Sequence, residues 1–255
     1  MSDTVVITRP RAQAGPLARS VAALGRKVVL LPLLDIFELE DTSELRATLA
    51  DLPAYALVAF VSPNAIDAAF AHLERWPDGV ALAVVGEGSR AALARHGVND
   101  GNARILSPHD PARSDSEHLL GALDLDALAG KRVLIVRGES GRELMADGLR
   151  AAGAQVSTIA AYRRCVPELS AELEASLRTL LAQDNDWIIT SSEALRGLLA
   201  LVARIDPHGV AKMQQQHLIV PHARIAETAR ALGLTRLTLC GSGDARLLAA
   251  LQSRA

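Results

Sequence analysis

VVITRPRAQAGPLARSVAALGRKVVLLPLLD, residues 5–35, returns 128 residues later as VLIVRGESGRELMADGLRAAGAQVSTIAAYR at 133–163. Each copy is an apolar run, an arginine-bearing turn, a helical stretch ended by a glycine (Gly25, Gly153), and a second apolar run. Working outward, ALVAFVSPNA at 56–65 is echoed by NDWIITSSEA at 185–194. LAVVGEGSRAALARHGV at 82–98 is echoed by LIVPHARIAETARALGL at 218–234. The chain is thus written A, B, A′, B′ in units of strand and helix, which predicts two similar lobes with a ligand groove between them.

Ten apolar runs bounded by turn residues predict buried parallel strands, five to a lobe: Val5–Thr8, Val28–Leu31, Leu57–Val61, Leu82–Val85, Arg104–Leu106, Val133–Val136, Val156–Ile159, Trp187–Thr190, Leu218–Val220 and Leu237–Leu239. Gaps between them carry helical spacing, as in the stripe Ala14, Leu17, Ala18, Val21, Leu24. Ser62-Pro63 and Asp206-Pro207 each set a capping side chain before a proline at the first helical position. Ser43 and Ser170 open further helices, with Glu44, Glu172 and Glu174 near the positive ends. The alternation gives α/β lobes with helices on both faces of each sheet. Pro32–Glu40 and Ala160–Pro167 occupy equivalent places in the repeat and read as extended connectors running side by side. Asn99–Glu117 reads as loop around one weak strand.

With 255 residues, 49% hydrophobic and 22% charged, the chain can hold two globular domains. Aromatics are 3%, so the cores are built of Ala, Leu and Val. No run of 18 uncharged apolar residues is present, and strand VVIT starts without a signal-peptide pattern; the expected location is cytoplasmic, away from membranes. Cys165 and Cys240 form no CxxC and read as buried or incidental thiols. A net charge of −2 gives no overall attraction to nucleic acid. Lysines number only three (Lys27, Lys131, Lys212) beside many arginines. Genomic base composition explains such a bias, and so does the fit of guanidinium forks to carboxylates and phosphates.

Ligands of open α/β sheets bind at the carboxyl ends of strands, where helix N-termini present backbone N–H groups. Six such turns stand out: Thr8-Arg9-Pro10, Ser62-Pro63-Asn64, Gly86-Glu87-Gly88-Ser89, Arg137 to Arg142, Ser191-Ser192 and Pro221-His222-Ala223-Arg224. Any one of them serves equally as a helix cap; together they suggest a cradle for a polyanion. Gly86-x-Gly88-x-x-Ala91 approximates a dinucleotide fingerprint, but the acidic residue that should close the next strand is missing. The glycines read as a tight turn. No histidine pair has metal spacing, and His72, His96, His208 and His217 read as surface or loop residues. Tyr55 opens a buried strand and reads as core, whereas Tyr162 begins the second connector and serves either packing or the groove.

The whole chain, from about residue 5 to 251, resembles the uroporphyrinogen III synthase family. The resemblance lies in ITRP with the following helix and ALGRKVVLLPLLDI, F-x-S-P-N-A at 60–65, and AVVGEGSRAAL at 83–93. It continues in KRVLIVRGESGRELMADGLRAAGAQV at 131–156, the connector AYRR-x-V-P, and WIITSSEA at 187–194. It implies interleaved lobes, residues 1–34 with 168–255 and residues 41–160, joined by crossover connectors at 35–40 and 161–167. It implies a monomeric lyase of heme, siroheme and cobalamin biosynthesis, using neither metal nor organic cofactor. The family's substrate is hydroxymethylbilane, a linear tetrapyrrole with eight carboxylates, which is closed with loss of water and inversion of ring D. A transient contact with the enzyme that supplies the bilane is also expected. Residue by residue, Tyr162 matches the connector tyrosine that donates a proton to the departing hydroxyl. Thr8, Arg9, Ser62, Asn64, Ser89, Arg137, Gly138, Arg142, Ser191 and Ser192 match the groove-lining turns. At Pro221-His222-Ala223 the chain lacks the family's Gly-Pro and threonine pair, and His222 or Arg224 takes those contacts. Two other readings use the same residues: a non-enzymatic two-lobed binder of a polyanionic metabolite, and a nicotinamide-dependent oxidoreductase resting on Gly86 and Gly88 alone.

Overall fold

Val5, Val6 and Ile7 have no solvent exposure on either face, which is why the first strand reads as an unbroken apolar run. The computed structural model describes residues 3–110 and 115–253, so the middle of the expected Asn99–Glu117 loop, residues 111–114, lies outside the described residues. In chain order the strands are β1 (Thr4–Ile7), β2 (Lys27–Leu30), β3 (Asp35–Phe37), β4 (Leu57–Phe60), β5 (Ala81–Val84) and β6 (Ile105–Leu106). There follow β7 (Arg132–Gly138), β8 (Gln155–Cys165), β9 (Asp186–Ile188), β10 (His217–Val220) and β11 (Leu237–Leu239). The helices are α1 (Arg11–Ala23), α2 (Ser43–Ala50), α3 (Pro63–Phe70), α4 (Glu87–Arg95), α5 (Ser116–Gly121) and α6 (Leu125–Leu128). They continue with α7 (Leu144–Ala151), α8 (Ala171–Leu181), α9 (Ser192–Ile205), α10 (Gly209–Gln215), α11 (Ala223–Ala231) and α12 (Asp244–Gln252).

The chain divides into two compact units, Met1–Asp35 with Cys165–Ala255, and Ile36–Arg164. The first holds a parallel sheet in the order β11-β10-β9-β1-β2. Successive strand residues face opposite sides. Val6, Trp187, Leu218 and Val220 therefore pack with Leu177, Leu195 and Ile225 of α8, α9 and α11, whereas Val5, Ile7, Ile188 and Ile219 pack with Leu17 and Leu247 of α1 and α12. Each such fully buried aliphatic side chain contributes about 1.5–3 kcal/mol.

The second unit holds six strands in the order β3-β8-β7-β4-β5-β6. Val58, Phe60, Leu82 and Val84 meet Leu45, Ile66 and Leu93 of α2, α3 and α4; Leu57, Ala59, Val133 and Ile135 meet Leu119 and Leu149 of α5 and α7. The sixth strand corrects the expected count of five. Asp35–Phe37, expected within a connector, is the strand β3, and the other expected connector is continuous with β8 as far as Cys165. Backbone pairing carries both, so no apolar pattern announced them. β7 and β8 stay paired past a register shift between Arg137 and Gly138.

Three local expectations also change. Leu24 is the cap residue of α1 and 36% exposed, outside the buried stripe of Ala14, Leu17 and Val21. Asp206-Pro207 does not start a helix: α10 begins at Gly209, and the Asp206 carboxylate accepts from the His208 N–H at 2.9 Å and from Lys212 at 2.8 Å, which hold its pKa below the usual carboxylate value. His217 is buried, its imidazole 2.9 Å from the Asp186 carboxylate and 3.0 Å from the Thr238 hydroxyl. Arg26 pairs with the other Asp186 oxygen at 2.7 Å. These residues start β9 and β10, so this network lies at the amino ends of the strands. Tyr55 is core as expected, with the Arg132 guanidinium 4.3 Å from its ring centroid.

Candidate functional site

A doubly wound sheet opens a crevice where strand order reverses, outside the carboxyl ends of the two central strands. In the second unit the reversal falls between β7 and β4, and in the first between β1 and β9. Both positions are occupied by turns marked in the sequence.

At the end of β4, Ser62 adopts extended backbone (φ −162°, ψ 157°) and caps α3, its Oγ accepting from the Ala65 N–H at 3.1 Å, with Pro63 at the first helical position. Beside it, β7 ends at Gly138, which pairs with Tyr162 of β8. A Cβ on Gly138 would stand 3.0 Å from Cζ of Tyr162 and 3.2 Å from its hydroxyl, so the ring occupies the space a side chain would need. The Glu139 N–H donates to the Tyr162 carbonyl at 2.9 Å. Tyr162 is 3% exposed, packed in the cluster that holds Phe60, Val136 and Ile159, and its hydroxyl lies 3.1 Å from Ser62 Oγ. Of the alternatives left open for this tyrosine, packing is what the ring does, while the phenol reaches Ser62 at the strand-end turn.

The other candidate residues of this unit lie in the turns and helix starts after β4, β5 and β7. Arg137 donates to Glu143 at 2.6 Å and to the Arg142 carbonyl at 3.0 Å, closing its own turn. Arg142 lies 3.6 Å from Glu117 and is largely exposed. Asn64 sits half-buried in the first turn of α3. Ser89, in the first turn of α4, is 2% exposed and its Oγ has no protein partner. Gly86 caps α4 in extended conformation, and β5 stands one strand away from the reversal. That position removes the remaining support for a dinucleotide site on Gly86 and Gly88.

In the first unit, Thr8 is buried, its hydroxyl donating to the Ile188 carbonyl at 2.8 Å and its N–H to the same oxygen at 3.3 Å. Its side chain is thus committed to joining β1 to β9, against the expectation that it lines a groove. Arg9 pairs with Asp244 at 2.6 Å, both groups being partly buried. Ser191 caps α9, accepting from the Ala194 N–H at 3.3 Å. Ser192 is buried with its Oγ 3.1 Å from Thr228 Oγ1. His222 precedes α11 without a side-chain cap bond, its Nδ1 being 3.4 Å from Ser242 Oγ; Arg224 is exposed in the first turn. Asp244, Glu143, Thr228 and Ser242 were not singled out in the sequence. Only long-range pairing reveals them, and Glu143, six residues beyond Arg137, had the one local signal. Among the described residues no three His, Cys, Asp or Glu side chains gather as a metal site, and no helix is long and apolar enough to cross a membrane.

Comparison with known proteins bears on this geometry. Residues 15–240 match the family model described as uroporphyrinogen-III synthase HemD. The uroporphyrinogen-III synthase of Salmonella typhimurium is 34% identical over 98% of this chain and all of its own length. That of Escherichia coli is 32% identical with the same coverage. Among solved structures, uroporphyrinogen-III synthetase from Helicobacter pylori superposes with a TM-score of 0.61 at 15% identity, covering 100% of both chains. A mutant uroporphyrinogen III synthase from Thermus thermophilus gives 0.60 at 13% identity over 98% of this chain and 97% of its own. At those identities the structural likeness speaks for the two-lobed α/β fold alone.

Proposed function

The chain belongs to the uroporphyrinogen-III synthase family, and we propose that it closes hydroxymethylbilane to uroporphyrinogen III as a cyclising hydro-lyase with Tyr162 as the acid. The observation that carries the assignment of the acid is the phenol of Tyr162 standing 3.1 Å from Ser62 at the reversal between β7 and β4. Membership of a family of synthases is what disfavours the reading as a non-enzymatic binder.

The substrate carries eight carboxylates, while the protein's net charge is only −2. Attraction must then be local. The positive ends of α3, α4 and α9 suit carboxylates. Arg9 and Arg137 already hold Asp244 and Glu143, so each presents a neutral pair whose guanidinium still has N–H groups to give.

The linear bilane closes unaided to the uninverted isomer. Inversion needs ring D to attack through its substituted carbon, and holding that one conformer is an orientation effect bounded at roughly 7–11 kcal/mol. Loss of the hydroxyl from ring A needs a proton and leaves an azafulvenium cation. A positioned acid is worth about 10²–10⁴-fold in such a step. Proton loss from Tyr162 leaves a phenolate whose charge offsets the cation as it forms.

Incubating the protein with freshly made hydroxymethylbilane and separating the product isomers tests the reading. Isomer III is expected, with slower formation in Tyr162→Phe; isomer I alone, as in a protein-free control, overturns it.

A further inference from the structure

We propose that Ser62 passes the proton from Tyr162 to the substrate, so that the acid is a two-residue relay; the inference rests on the acid reading above. Tyr162 is 3% exposed, with its ring filling the place of a Gly138 side chain. A phenol so enclosed meets Ser62 at 3.1 Å, and Ser62, at the end of β4, is only partly buried.

The hydrogen-bond inventory of Ser62 has room for the direction the relay needs. A serine hydroxyl has one hydrogen and two acceptor sites. One acceptor site takes the Ala65 N–H at 3.1 Å, as the cap of α3 requires. In the proposed relay the second takes the Tyr162 O–H, 3.1 Å away. The single Ser62 hydrogen is then left to point outward, and accepting two bonds polarises it further. A phenol that instead received the Ser62 hydrogen would hold its own proton in a packed interior.

The step balances. The Ser62 proton goes to the oxygen of the substrate's hydroxymethyl group as the C–O bond breaks and its electron pair leaves with water. The Tyr162 proton moves to Ser62 Oγ. Serine is regenerated, the phenol becomes phenolate, and the substrate becomes an azafulvenium cation. The proton shed when the last pyrrole ring regains its aromaticity after ring closure returns to the phenol by the reverse path.

Steady-state formation of isomer III by the full chain tests the relay. Ser62→Ala and Tyr162→Phe are each expected to lower kcat by about 10²-fold, the low end for a general acid, with KM little changed. The double variant is expected to be no slower than either, since residues of one relay act as a unit. Ser62→Thr, which keeps both hydroxyl and cap, is expected to restore most of the rate. Ser62→Gly, a tolerated cap without a hydroxyl, should melt near the parent yet stay as slow as the alanine variant, which separates chemistry from folding. The relay is overturned if Ser62→Gly turns over at the parental kcat, if the Ser62→Ala and Tyr162→Phe losses multiply, or if Ser62→Thr fails to rescue. A slow Tyr162→Phe beside a fast Ser62→Gly removes the relay alone. A Tyr162→Phe variant as fast as the parent removes the acid and the relay together.

Discussion

The two strand-order reversals of this molecule are copies that differ in one decisive side chain. Arg9 and Arg137 stand at equivalent places in the repeat, and each holds a carboxylate at 2.6 Å. Ser62 and Ser191 are likewise equivalent, and each caps the helix that follows. Where the second unit has Tyr162 against Gly138, the first has Leu34, 7% exposed in its core, and Pro10. The duplicated scaffold therefore supplies helix starts and guanidinium groups twice over, and the proposed proton donor once. On that proposal, holding an anion belongs to the repeat and chemistry to its departure.

The sharpest way to break that contrast is to remove the departure. Tyr162→Phe is expected to lower kcat by about 10²-fold while KM and the melting temperature stay near parental values, because ring packing survives and only the hydroxyl is lost. A rise in KM with kcat intact would make the phenol a binding group and the two reversals alike. Gly138→Ala comes next. Its Cβ would stand 3.0 Å from Tyr162 Cζ, so the ring must shift, at an overpacking cost of about 1–3 kcal/mol. Activity is expected to fall about tenfold through the misplaced hydroxyl. Pro10→Ala at the equivalent position should leave kcat unchanged, which steady-state rates and thermal melts on the pair would check.

Much of this was legible in the sequence, and the exceptions share a cause. The repeat with its apolar runs gave the lobes and ten of eleven strands, because buried parallel strands need continuous apolar residues. β3 and the end of β8 were read as connectors since backbone pairing, which no side-chain pattern records, makes them strands. His217 was read as a surface or loop residue because its partners Asp186 and Thr238 are far away in the chain. For the site, strand-end turns were visible as Gly, Ser and Arg clusters. What Arg9 and Arg137 hold, and that Thr8 ties β1 to β9, depends on pairings across up to 235 residues. Tyr162 was marked by rarity and resemblance; Ser62 as its partner was not marked at all.

The arginine pairs sharpen the comparison from its conserved side. Arg9→Ala removes the partner of Asp244, and Arg137→Ala leaves Glu143 with Arg150 alone, 4.0 Å away. Each adds a negative charge near groups proposed to hold carboxylates, so KM is expected to rise about fivefold with kcat intact. Glu143→Gln should act oppositely, freeing the guanidinium and lowering KM about twofold. Equal responses of Arg9→Ala and Arg137→Ala in substrate titrations would support a shared role; loss of kcat in one alone would break the equivalence.

The smallest expected effect is the most discriminating control. Ser62→Ala and Ser191→Ala each delete a cap acceptor at equivalent helix starts, and each should cost about 1 kcal/mol of stability. Thermal melting should not tell the two variants apart. Turnover should, since Ser191 caps its helix in a unit where Leu34 takes the place of the phenol, and its loss should leave kcat within about twofold of the parent. Parallel melts with divergent rates would show that the cap is common property and the proton path belongs to one unit. Equal rates in the two variants would reduce Ser62 to a cap and return the acid to Tyr162 alone.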